Sequence, residues 1–328
     1  MRSQDQKQCR YIDPNAHRCT GDVESRGLCY WHNPDIAKTG DDVKQRLEAY
    51  AKSGRSMAGF SLKYANLEGI RLIVPGKNAG LNLTYADLYH ANLRNAHLFH
   101  IDLYGSSLMK ADLYCANLNC ANLEKANLLG TNFKNAKIEH ISWGEYIVQE
   151  EKAHATLKQK NLNEALNCFE QAEEIYRGLR KTYEARGLFE HAGIFFYREM
   201  IMRRFQIPKF SFKRLLSKMV DIFCGYGEKP LRVVIFSWML ILISAILYFS
   251  FGINGKDTII VFDSQLNIQQ NIHNFINCLY FSVVTFTTLG YGDLSPLGLT
   301  KFIAACEAFT GAFTIALFVV VFVKKMTR

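Results

Sequence analysis

The chain has 328 residues, room for two or three domains, and a formal net charge of +9. Its mean hydropathy is near zero, yet apolar residues crowd into the last hundred positions, which excludes one uniform globule. The N-terminal MRSQDQKQCRYIDPN has no apolar core and is not a signal peptide. The pattern predicts a multidomain membrane protein loaded toward its C-terminal end.

Cys9, Cys19, Cys29 and His32 follow one another with nine, nine and two residues between. Three thiolates and one imidazole make a complete tetrahedral structural zinc set, and a cytosolic N-terminus disfavours disulfides. Unliganded thiols are the alternative reading, and His17 is a spare candidate ligand. The spacing resembles small zinc modules with three cysteines and one histidine. Residues 1–36 are therefore expected to form a zinc-binding module holding Zn2+, with 37–59 as a linker.

Leucine or an equivalent then recurs every fifth residue, at Leu83, Leu88, Leu93 and onward to Phe133 and Ile138, usually with Ala two positions earlier. Leu62, Leu67 and Leu72 show the same period before Ile73–Gly80 breaks it. Period five suits neither a helix nor a flat strand; it suits a four-sided coil with leucine and alanine stacked inward. This is the pentapeptide-repeat pattern A(D/N)LXX, which implies a right-handed quadrilateral β-helix over 60–141. From Phe60 to His140 there are eight basic and six acidic residues, so the surface is no acidic mimic of DNA. It reads as a scaffold, or as the site of an unknown cytosolic ligand or protein.

Residues 142–207 turn helical, with i, i+3, i+4 apolar spacing over Glu145–Gln159, Leu162–Arg177 and Phe189–Arg204. They resemble a degenerate tetratricopeptide-type helical hairpin. Pro208 ends this pattern, and Phe210–Phe223 predicts a short basic amphipathic helix at the membrane surface. From Arg198 to Arg232 there are nine Lys or Arg against three Asp or Glu. The run abuts an apolar stretch, so the positive-inside rule and anionic membrane lipids explain it better than nucleic acid does.

Leu231–Phe251 is about 21 residues long, reaching about 30 Å at 1.5 Å per residue, enough to cross the hydrocarbon. Leu299–Val323 is a second candidate span, ending in Lys324–Lys325. Both flanks expected in the cytosol are basic, which places both termini there. Between the spans, FINCLYFSVVTF reads as an apolar half-helix and TTLGYGDLSP as extended polar backbone. Non-helical backbone at membrane depth must be buried in protein or face water, so the pair predicts a re-entrant pore loop. Gly290 and Gly292 free the backbone to aim successive carbonyls one way. Four such strands stack oxygen rings around a dehydrated cation, with the Thr288 hydroxyl below and Tyr291 bracing the strand outward.

Thr288-Leu289-Gly290-Tyr291-Gly292-Asp293 resembles the filter of bacterial two-transmembrane potassium channels, with Leu289 in place of the more frequent valine. The resemblance implies a homotetramer conducting K+ across the cell inner membrane, within a channel domain spanning 208–328. It also implies that Tyr280 donates to Asp293 and that Gly311 is an inner-helix hinge, with simple close packing the alternative. Val284 stands where some relatives carry a carboxylate. Glu307 is expected to pack behind the filter, a titrating gate being the other reading.

The leading function is a passive potassium conductor gated by an unknown cytosolic signal; the alternative is a membrane-tethered tetrameric scaffold. No nucleophile–base or phosphate-loop pattern marks an enzyme. Only Lys324–Arg328 follow the second span, so gating force is expected to enter through Phe210–Pro230 and the first span. Contact with Lys324 and Lys325 is the competing route.

Overall fold

A computed structural model describes residues 8–14, 16, 18–73, 80–255 and 258–326. It divides into two compact units, Met1–Pro208 and Lys209–Arg328.

The first unit is organised around stacked coils. Parallel bridges join Asn82 to Asp102, Asp87 to Ser107 and so on to Asn122 and Ser142, each 20 residues apart. One coil is thus four five-residue repeats. Each repeat turns a corner, and every fifth residue from Tyr85 to His140 takes φ between +55° and +69°. Only Gly105 and Gly130 in that series are glycines, although this region is costly for residues with a Cβ. Two bonds hold the corner there. The corner residue donates its own N–H to the next coil, as Tyr85 does to Tyr104 at 2.8 Å. The Asp or Asn two positions before each interior leucine's follower accepts locally: Tyr89 N–H donates to Asp87 at 3.1 Å and Tyr114 N–H to Asp112 at 3.0 Å. The Asp/Asn of the repeat is therefore a turn-former, and its Leu and Ala are the core, buried throughout.

Earlier bridges, Ser61–Asp87, Asn66–Asn92 and Arg71–His97, are 26 residues apart. The six additional residues fall in the Ile73–Gly80 break of the sequence pattern, of which 74–79 lie outside the described residues. Ahead of the coils, the segment expected to be a linker contains helix α1 (Val43–Lys52), which buries Val43, Leu47 and Ala51 in the same core. Trp31 stacks on Phe60 at 5.3 Å, so the N-terminal module closes that end of the coil stack.

The other end meets three helices, α2 (Val148–Lys158), α3 (Leu162–Ala185) and α4 (Phe189–Gln206). α3 runs eight residues past the expected Arg177, because Leu179 and Tyr183 continue its buried stripe. The Tyr183 hydroxyl donates to the Ile138 carbonyl at 3.0 Å and accepts from Trp143 at 2.9 Å. Glu150, almost fully buried, pairs with Arg198 at 3.1 Å and accepts from Tyr176. The bond and burial push the Tyr176 phenol far above its ordinary range, burial being the larger cause.

The second unit begins with α5 (Phe212–Cys224), ended by Gly225 in the left-handed region. α6 (Pro230–Phe251) and α8 (Thr300–Met326) are each long and apolar enough to cross a membrane. Between them lies α7 (Ile268–Phe286). It starts seven residues before the expected half-helix, because Asn267 and Gln270 form a capping box. A three-stranded antiparallel sheet, which the sequence did not announce, joins β1 (Ile253–Asn254) to β2 (Ile259–Ile260) and β3 (Ser295–Pro296). It ties the end of α6 to the chain that leaves the pore loop. Buried Thr300 reinforces the tie, with its hydroxyl 3.3 Å from the Gly252 carbonyl.

Candidate functional site

α7 delivers the chain to Thr288–Asp293 at its C-terminal end, where the helix dipole carries partial negative charge. φ is +58° at Thr288, +58° at Gly290 and +77° at Gly292, and negative at Leu289 and Tyr291. Alternating handedness of this kind, which glycine permits, lets successive peptide groups face one way. A Cβ at Gly290 or Gly292 would meet nothing within 4 Å in the single chain. Backbone conformation, not crowding, is what these glycines supply. Leu289 and Tyr291 are exposed in the single chain.

Support comes from three helices. The Tyr280 hydroxyl on α7 lies against the Asp293 carboxylate, the pairing expected from the sequence. Glu307 on α8 is 2% exposed. It accepts from Tyr248 of α6 at 2.5 Å and from Ser282 of α7 at 2.5 Å. Ser282 also lies 2.9 Å from the Ile241 carbonyl. One carboxylate thus fastens both spans to the pore helix. Neither Tyr248 nor Ser282 was marked by the sequence, since no motif links residues so far apart in the chain.

Gly311 is buried on α8, and a Cβ there would lie 2.1 Å from the Phe286 carbonyl oxygen. Here close approach is the requirement: the inner helix crosses the end of α7 at a distance that only glycine permits. α8 continues unbroken through this position. Val284 is buried beside it on α7.

At the opposite end of α8, Lys324 pairs with Glu228 at 2.7 Å. Glu228 sits in the elbow between α5 and α6, and Cys224, Val233 and Val321 form a small apolar cluster there. Arg232 braces the same elbow through Asp221 at 2.8 Å. The sequence singled out Lys324 but not its partner.

The N-terminal module brings Cys9, Cys19, Cys29 and His32 together, with ligand atoms all within 4.8 Å of one another. His17 lies outside the described residues. The Cys19 and Cys29 sulfurs are 3.8 Å apart, far beyond the roughly 2.05 Å of a disulfide. A tetrahedral centre with metal–sulfur bonds of about 2.3 Å sets its sulfurs about 3.8 Å apart. His32 Nδ1 is 3.6 Å from Cys9 Sγ and 3.1 Å from Cys29 Sγ. Its other nitrogen, Nε2, is 2.8 Å from the Ala58 carbonyl; donating there leaves Nδ1 as the free lone pair, the outer-shell arrangement that orients a metal-binding imidazole. Tyr11 stacks on the ring at 3.9 Å. The Cys19–Cys29 hydrogen bond lowers the Cys19 thiol and, with burial, pushes Cys29 up to about 11. These residues fit a metal ion.

Residues 236–328 match the family model for ion channels. Residues 79–113 and 116–140 match the model for pentapeptide repeats, in eight copies. The chain carries an ion-channel domain behind a pentapeptide-repeat domain. Two solved pentapeptide repeat proteins resemble it in the repeats. Rfr23 from the cyanobacterium Cyanothece 51142 is 32% identical, over 27% of this chain and 56% of its own, with a TM-score of 0.24. The protein alr5209 from Nostoc Pcc 7120 is 32% identical, over 32% of this chain and 79% of its own, with a TM-score of 0.26. The chain spans little more than half the length of Rfr23. No curated protein matches it. The ion-channel and repeat matches bear out the resemblance read from the sequence, and with α6 and α8 they make this a membrane protein.

Proposed function

We propose that the protein is one subunit of a homotetrameric, potassium-selective channel, with Thr288–Asp293 as its filter. The observation that carries this reading is the alternating φ of Thr288–Gly292 at the end of a pore helix, within a chain segment of the ion-channel family. One such strand supplies one wall of a pore, so four copies close the ring. Their carbonyls and the Thr288 hydroxyls would replace the water around K+. Glu307 and the Tyr280–Asp293 pair hold the strand in place, and Gly311 acts first as a close-packing residue and only through it as a hinge. The Cys9, Cys19, Cys29 and His32 site is assigned a structural Zn2+, supported by its donor set and spacing. The coil stack is read as a right-handed quadrilateral β-helix.

Both termini are assigned to the cytoplasmic side of the inner membrane, with α5 against anionic lipid. The support is its exposed Phe212, Leu215, Leu216 and Met219 beside Lys213, Arg214 and Lys218. The cytosolic part carries the gating signal, and no enzymatic step or nucleic-acid partner is assigned. Reversal potentials under bi-ionic conditions in a reconstituted bilayer test the central claim. Strong preference for potassium over sodium is expected, and equal permeability would sink it.

A further inference from the structure

Each internal coil spends its amide groups on the next one. The N–H of the inward leucine and of the corner residue two positions on donate forward: Leu108 to Asn127, Lys110 to Leu129, Leu113 to Asn132 and Cys115 to Lys134, at 2.8–3.1 Å. One coil later the equivalent donors are Leu128, Gly130, Phe133 and Asn135. They face α3 instead of another coil. Among the described residues, none of these four N–H groups makes a hydrogen bond. Leu128 and Phe133 are buried, whereas Gly130 and Asn135 open to solvent. Buried backbone donors are normally paired, so the Leu128 and Phe133 N–H groups at this concave surface point to an absent acceptor.

All four residues line one cavity of about 600 Å³ between the last coil and α3, within the size range of small-molecule sites. Two ammonium groups share it, Lys134 from the coil and Lys181 from α3. Arg177, on the same wall, is committed to Glu173 and Glu199. Against these the lining sets one carboxylate, Glu174, with the neutral polar side chains of Thr131, Asn132, Asn135 and Thr182. Ile175 and Leu179 also border it, both almost wholly packed into the core, and exposed Gly178 leaves the α3 wall bare between them.

Gly178 supplies an independent sign. It stands in the middle of α3, where glycine is less favourable than alanine. A Cβ there would meet nothing within 4 Å, so no contact within the chain calls for glycine. What the missing side chain does is keep the cavity wall open.

We propose that this cavity binds a small organic oxyanion bearing phosphate or carboxylate. Its oxygens accept from the free amides of Leu128, Gly130, Phe133 and Asn135 and pair with Lys134 and Lys181; its organic body lies over the open backbone of Gly178. Two ammonium groups against one carboxylate favour an anion over a peptide strand, which is neutral along its backbone. The inference names a ligand class for the cytosolic signal and so rests on the gating reading above.

Isothermal calorimetry on the full-length protein in detergent tests binding without any current being measured. The probes are AMP and inorganic phosphate. AMP should bind saturably, and more tightly than phosphate because only AMP has a body to lie over Gly178. Lys181→Glu reverses a charge, and Gly178→Phe fills the cavity from a position with open space over it. Each should weaken AMP by about tenfold or more, the worth of one charge-assisted hydrogen bond. Gly178→Ala should retain binding and shows that α3 tolerates the change. No AMP binding at millimolar concentration, or unchanged affinity in both weakening variants, would overturn the site. AMP binding that leaves open probability unaltered keeps the site and removes the gating reading.

Discussion

Glu307 is the residue on which the pore's internal fastening converges. Replacing it by Ala strips the Tyr248 hydroxyl of its partner, while Ser282 keeps the Ile241 carbonyl in reach. One buried hydroxyl left unserved costs about 1–3 kcal/mol. Glu307→Ala should therefore lower the thermal unfolding midpoint of the detergent-solubilised channel clearly, and Glu307→Gln much less, because an amide still accepts. Equal midpoints for wild type and the Ala variant would show that the carboxylate fastens nothing. The metal site makes a separate residue-scale prediction. Freshly purified protein should contain one zinc per chain by elemental analysis, and Cys29→Ala or His32→Ala should abolish it. The pore should go on conducting, since the site lies in the first compact unit and the filter in the second. Metal content unchanged in both variants would remove the assignment.

At the scale of elements, the sequence disclosed whatever repeats or travels together in a short window. The five-residue period gave the coil stack, the apolar runs gave α6 and α8, and the filter motif lies within one loop. What stayed hidden depends on residues distant in the chain. The Glu307 partners on α6 and α7, the β1–β2–β3 sheet and the Glu228–Lys324 pair each need three-dimensional proximity that no local pattern encodes. The early start of α7 was readable in principle from Asn267 and Gln270, but its polar first turn masked the helix. Gly311 was visible as a glycine, whereas its crowding against Phe286 was not. Gly311→Ala would force a Cβ to within 2.1 Å of the Phe286 carbonyl, so α8 must move away from α7. The variant should assemble yet lose thermal stability, and its conductance should fall more than that of an Ala substitution at half-buried Thr310. A wild-type conductance in Gly311→Ala would show that the contact is slack.

For the whole molecule, the channel reading proposed above asks how a signal in a cytosolic part would reach Thr288–Asp293. Two links lead into α6 and α8. One is covalent, through α5 and the elbow to α6. The other is the Glu228–Lys324 ion pair, at 2.7 Å with Glu228 largely buried, which joins that elbow directly to the end of α8. The apolar cluster of Cys224, Val233 and Val321 backs it, so moving α5 pulls on both spans at once. Reversing one charge leaves two like charges at the elbow. Glu228→Lys should change open probability in single-channel recordings without altering selectivity, and Glu228→Lys with Lys324→Glu should restore it. A flexible Gly-Ser insertion after Gly227 provides the complementary test. It leaves Glu228 beside Lys324 but slackens the connection from α5, so the pore should keep its selectivity and basal opening while ceasing to answer the cytosolic part. If the insertion variant responds as the wild type does, force enters by a route other than the elbow.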